Sequence, residues 1–159
     1  MKRITTLSFF MLLCWITAFA IPRAEYPRPQ FERNAWINLN GEWTYSFDFG
    51  GSGLEREWFK STGFDQKITV PFCPESKLSG VEYKDFINHM WYHRIISIPQ
   101  DWADKQVLLH FGAVYYKSEI YIDGVFAARH FGGTSSFQVD ITPYVKAGQT
   151  HNLVVYVES

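Results

Sequence analysis

From Trp91 to Val157 the chain never sustains helical periodicity for long. It breaks every few residues into short apolar runs bounded by turn signals. The spacing predicts strands at Trp91–Ile98, Gln106–Phe111, Ser118–Ile122, Val125–His130, Phe137–Asp140 and Asn152–Val157. Asp123-Gly124 separates two β-branched runs and predicts a two-residue hairpin, because both central residues of a type I′ turn need positive φ. Upstream, Trp43, Tyr45, Phe47 and Phe49 alternate with Thr44, Ser46 and Asp48, the period of a strand with one buried and one wet face. Lys67–Val70 reads as a short strand stopped by Pro71. Many short strands with frequent turns and no helix predict an all-β chain, an antiparallel β-sandwich of jelly-roll type.

The first 20 residues read as a signal peptide rather than part of this sandwich. Lys2 and Arg3 precede an apolar core from Leu7 to Ile16, and Ala18-Phe19-Ala20 is a small-x-small cleavage site. The apolar core is shorter than the roughly 20 residues of a membrane span. Export to periplasm or medium is the expectation. Residues 21–30, with Pro22, Pro27 and Pro29, read as an extended leader, and 31–159 as one folded domain. Cys14 leaves with the signal, so Cys73 is alone, is expected to be a small buried residue, and stability must come from packing. Hydrophobic residues make up 47% of the chain and aromatics 18%, enough to furnish a core. The net charge of −1, without a basic run, argues against nucleic acid or an anionic membrane as partner.

Few patterns carry chemistry. His89 and His93 have a His-x3-His spacing, but on a strand four residues span roughly 13 Å, too far to share one metal ion. Gly50–Gly53 reads as a flexible break, since it lacks the lysine and helix start of a phosphate loop. Leu54–Phe64 reads as a loop with one helical turn near Trp58. Asp101 and Asp104 flank Trp102 and read as turn-forming acids. Trp43, Phe47 and Phe111 are assigned to the core, while Tyr115 and Tyr116 fall in a bend with their exposure open. No metal and no cofactor is expected.

A series of short motifs then adds up in order. It runs Trp36-x-x-Leu39-Asn40-Gly41-x-Trp43, Val70-Pro71, Trp91-Tyr92-x-Arg94 and Ile98-Pro99-x-x-Trp102. It continues with Ile122-Asp123-Gly124, His130-x-Gly132-Gly133 and Phe137-x-x-Asp140-Ile141-Thr142. This series resembles the N-terminal sugar-binding jelly roll of family 2 glycoside hydrolases, the β-galactosidase, β-glucuronidase and β-mannosidase group, most of all the β-glucuronidase branch. The fold implied is galactose-binding-domain-like. In that family an immunoglobulin-like domain and a (β/α)8 barrel follow, and the barrel carries two catalytic glutamates. The resemblance therefore implies a C-terminally truncated piece that lacks closing strands and catalytic residues, from an enzyme hydrolysing β-glycosides. It implies substrate contacts at Asp85, Asn88, His89 and His130. Trp43, Trp91, Tyr92, Arg94, Gly132, Gly133 and Asp140 are implied as framework, with Arg94 paired to a core or interface carboxylate. A free-standing carbohydrate-binding module, or a docking domain that touches no sugar, fits the same residues.

Overall fold

The computed structural model describes residues 21–26, 30 and 33–159. The signal-peptide assignment and part of the leader lie outside the described residues. Eight strands fall close to the expected places: β1 Gly41–Phe47, β2 Gln66–Val70, β3 His89–Ser97, β4 Leu108–Phe111, β5 Lys117–Ile122, β6 Val125–Phe131, β7 Phe137–Asp140 and β8 Thr150–Glu158. Six form one antiparallel sheet in the order β2-β1-β3-β8-β5-β6, and β4 pairs with β7 in a second, two-stranded sheet. Short 3-10 turns are the only helical elements among the described residues.

The two sheets enclose the main core. Trp43, Tyr45, Ile68, Ile96, Ile120 and Leu153 point inward from the large sheet toward Leu109 and Val139 of the small one. The long central strands β3 and β8 pair along nine residues, from His89↔Glu158 to Ser97↔Thr150. On their outer sides β1 borders β3 over Met90–His93, and β5 borders β8 over Leu153–Glu158. The hairpin behaves as its sequence demands: Asp123 has φ 49° and Gly124 φ 79°.

The opposite face of the large sheet departs from the one-wet-face expectation. Trp91, Tyr121, Val154 and Tyr156 are buried there beneath Trp58, Phe59 and Phe64, supplied by the loop between β1 and β2. β8 is therefore buried on both faces, which explains the unbroken apolar run Leu153-Val154-Val155-Tyr156-Val157.

Asp48, expected on the wet face, is buried at the exit of β1. Its Oδ1 accepts from the Ser52 N–H (3.0 Å), and its Oδ2 accepts from the Gly53 N–H (2.8 Å) and the Trp91 indole (3.1 Å). Gly50–Gly53 is thus a pinned turn and not a flexible break. Phe49 lies past the end of β1 and is exposed, not part of the buried row.

One further expectation is corrected. Cys73 is exposed, because it follows β2 in a turn outside both cores. Among the described residues Arg94 meets no carboxylate of the core; its guanidinium donates to the backbone carbonyls of Glu42 (3.1 Å) and Asn40 (3.4 Å) and lies over the Trp43 ring. It caps carbonyls at the entry of β1, a role that only the β1–β3 register reveals.

The hairpin carries an acid-sensitive contact. His151 Nδ1 meets Asp123 Oδ2 at 2.6 Å while its Nε2 accepts from the Lys146 N–H, so the proton sits on Nδ1 in the neutral ring. Partial burial raises the Asp123 pKa, but hydrogen bonds from the Asn152 N–H and His151 outweigh it and hold the carboxyl below its ordinary range. A depressed carboxylate contributes stability above its unfolded pKa of about 3.9 and loses it as pH falls through the lower folded value. Urea midpoints measured from pH 6 to pH 2 should therefore fall less for Asp123→Asn than for the native chain. Parallel pH profiles would contradict this assignment.

Candidate functional site

The predicted contact residues gather at one end of the sandwich, where β3 and β5 begin and β6 and β8 finish. Backbone register sets His89 beside Glu158, Glu158 beside Lys117, and Lys117 beside Phe131. Beyond that row three loops converge. The Ser159 N–H donates to the Asn88 carbonyl (2.9 Å), the Tyr116 N–H to Glu158 (3.1 Å), and the Gly132 N–H to Tyr116 (2.9 Å).

Strand alternation divides this end into two faces, and His89 and His130 fall on opposite ones. His89 lies on the outer face, its Nδ1 2.8 Å from the Tyr156 hydroxyl. His130 turns inward, stacked at 3.9 Å on Phe137, which stacks on Phe111 at 4.7 Å. These two histidines therefore cannot grip one ligand together. Asp85 and Asn88 are exposed on the loop that leads into β3.

The glycines of His130-x-Gly132-Gly133 have separate reasons. Gly132 has φ +120°, a conformation that side chains disfavour. Gly133 lies against the Tyr115 ring, so that a Cβ there would collide with it. Above this seat Tyr115, Tyr116 and Phe131 form an exposed aromatic row, with centroids 5.9 and 6.3 Å apart. Gly133→Ala should displace Tyr115; NMR shifts concentrated at residues 114–116, with little change elsewhere, are the expected result.

A charged network that the sequence did not reveal backs this end on the outer face. Glu119 is buried, accepting from the Tyr121 hydroxyl (2.6 Å) and from Arg129 (2.9 Å). Lys117 lies 2.6 Å from Glu158, and this hydrogen bond is the main reason that the Glu158 carboxyl is held below its usual range. Burial, reinforced by Glu158, Asp48 and Glu119, pushes the Tyr156 phenol up to about 12. Burial and the Glu119 hydrogen bond raise Tyr121 as well. Both phenols are thus neutral donors at ordinary pH. Arg129 and Glu119 are register partners ten residues apart across the hairpin, a signal legible only after the Asp123-Gly124 turn is placed.

Of the framework residues, Trp43 and Trp91 are buried in the two cores, and Tyr92 is half-buried against the main one. Asp140 closes the small sheet, accepting from the Thr142 N–H (2.9 Å) and Gln106 (2.7 Å). This end offers exposed rings, an exposed amide and carboxylate at Asn88 and Asp85, and a charged backing. Such a surface can hold a polyhydroxylated ring by stacking and hydrogen bonding.

Residues 37–158 match the family described as glycosyl hydrolases family 2, sugar binding domain. The chain belongs to this family. It is 30% identical over 135 residues to the β-glucuronidase of Felis catus, covering 77% of this chain and 20% of the relative. The Streptococcus agalactiae β-glucuronidase is 30% identical over 114 residues, covering 72% and 18%. Among solved structures, the Ruminococcus gnavus β-glucuronidase in complex with C6-substituted uronic isofagomine superposes with a TM-score of 0.69 at 25% identity, covering 76% of this chain and 21% of that one. The chain thus spans about a fifth of the length of these relatives.

Proposed function

We infer that this chain serves as the sugar-binding part of an exported family 2 hydrolase that cleaves β-glycosides, with β-glucuronides favoured over β-galactosides. The similarity of residues 37–158 to β-glucuronidases carries the reading. The charged leader, apolar core and Ala18-Phe19-Ala20 support export. In this account the end bearing Tyr115, Tyr116, Asp85 and Asn88 walls one side of the substrate pocket. Two carboxylates outside this chain act through a covalent glycosyl intermediate and retain the anomeric configuration. Alone, the chain holds a sugar weakly, because one wall leaves most of the ring in water.

The test is hydrolysis of 4-nitrophenyl β-D-glucuronide and β-D-galactoside by the protein translated from the whole gene. Faster release from the glucuronide is expected, and no release from either sinks the reading. Replacing Tyr116 with alanine should raise KM roughly three- to tenfold with kcat little changed, reflecting loss of about 0.5–1.5 kcal/mol of ring contact.

A further inference from the structure

The opposite end of the sandwich holds a second concave surface. Two hollows of about 390 and 580 Å³ both include Trp102 and Lys105 in their walls, so that Trp102 forms a ridge shared between them. The first is also walled by Trp36, and the second by Asp104 and Gln106. Both hollows are shallow and open to solvent, surface depressions and not enclosed pockets.

β3 runs nine residues from His89 to Ser97, after which Ile98 leads to this surface. At ~3.3 Å per residue, about 26 Å separate it from the His89 end.

Its parts are built in place. Pro99 sets the 3-10 turn Gln100–Trp102, and Trp102 leans partly on the main core, leaving the rest of its ring to solvent. Trp36 is braced edge-on by Tyr26 at 4.7 Å. Asp104 takes φ 63°, a left-handed turn that presents its side chain beside the ridge. Asp101 lies within the turn, and among the described residues Asp101, Asp104 and Lys105 form no ion pair.

We propose that this groove is a second carbohydrate-binding surface, one that takes a neutral oligosaccharide chain across the Trp102 ridge. Indole rings match the C–H faces of pyranose units, while flanking carboxylates and an ammonium bind their hydroxyls. Acids outnumber the one cation, which disfavours an anionic uronate and separates this groove's ligand class from the glucuronide of the other end. The shallow, two-lobed shape suits a chain spanning neighbouring units rather than one enclosed sugar. Its place far from the loop-bearing end assigns it to tethering an oligomeric glycoside, not to chemistry. The proposal stands whichever glycoside the whole protein cleaves.

The experiment titrates the chain with cellohexaose, xylohexaose and mannohexaose, and separately with D-glucuronic acid, following the indole cross-peaks in ¹H–¹⁵N spectra. At least one hexasaccharide should shift the Trp102 and Trp36 indoles saturably, while glucuronic acid leaves them in place. Trp102→Ala should weaken that binding about tenfold or more, the loss of one stacked ring and its hydrogen bonds. If Trp102→Ala does not fold, Asp101→Ala on the exposed turn decides, with about threefold or greater weakening expected. Still indoles with all three hexasaccharides overturn the proposal. So does binding that survives the deciding substitution within about twofold. Hydrolysis of glucuronides by the whole protein is read independently, so either account can fail alone.

Discussion

Trp91→Ala is expected to be the most damaging single substitution in this chain. Trp91 is fully buried on β3, packs against Tyr156 at 4.6 Å, and donates its indole N–H to buried Asp48. Removing it leaves a cavity beneath Trp58 and strips one donor from a buried carboxylate. A cost of about 3–5 kcal/mol is typical of aromatic-to-alanine changes in cores. That is a large share of the roughly 5–15 kcal/mol available to a domain. Urea unfolding should show a strongly lowered midpoint or no cooperative transition. Trp91→Phe, which keeps the ring and loses the hydrogen bond, should fall between the two. A Trp91→Ala midpoint near the native value would show that the outer cluster contributes little.

Gly53→Ala comes second and tests the same region from the backbone side. A Cβ at Gly53 would stand 2.5 Å from Trp91 Nε1 and 2.7 Å from Asp48 Oδ2, both buried and both hydrogen-bonded. Neither neighbour can move without breaking the bonds that pin the turn. Overpacking of this kind costs about 1–3 kcal/mol, and lost Asp48 contacts add to it. Gly50→Ala, where a Cβ meets nothing within 4 Å, is the matched control and should be nearly neutral. Equal midpoints for the two variants would contradict the pinned turn.

The strands and the hairpin were legible because period-two alternation and Asp123-Gly124 are local signals. What covers the outer face was not. Thr44, Ser46 and Asp48 look like a wet face, since polarity along one strand does not say whether a distant loop lies over it. Trp58, Phe59 and Phe64, three aromatics in one short loop, are the sequence signal that could have exposed this second layer.

At the candidate site, the residues were named through the family resemblance, and their meeting at one end was not readable from local signals. Nor was the separation of His89 from His130, because facing depends on register across four strands. Glu119 carried no local mark, and its partner Arg129 becomes its neighbour only through the turn between β5 and β6. Exposure of Tyr115 and Tyr116 likewise follows from Gly133 seating the Tyr115 ring, a contact between loops far apart in sequence.

The central claim concerns the reaction this domain serves, and one spectrum tests it most directly. Protein translated from the whole gene is mixed with an aryl β-D-glucuronide, and the first-formed sugar is observed by ¹H NMR before mutarotation. A double displacement through two carboxylates predicts the β-anomer of glucuronic acid. Release of the α-anomer first, or no glucuronic acid at all, would contradict the account.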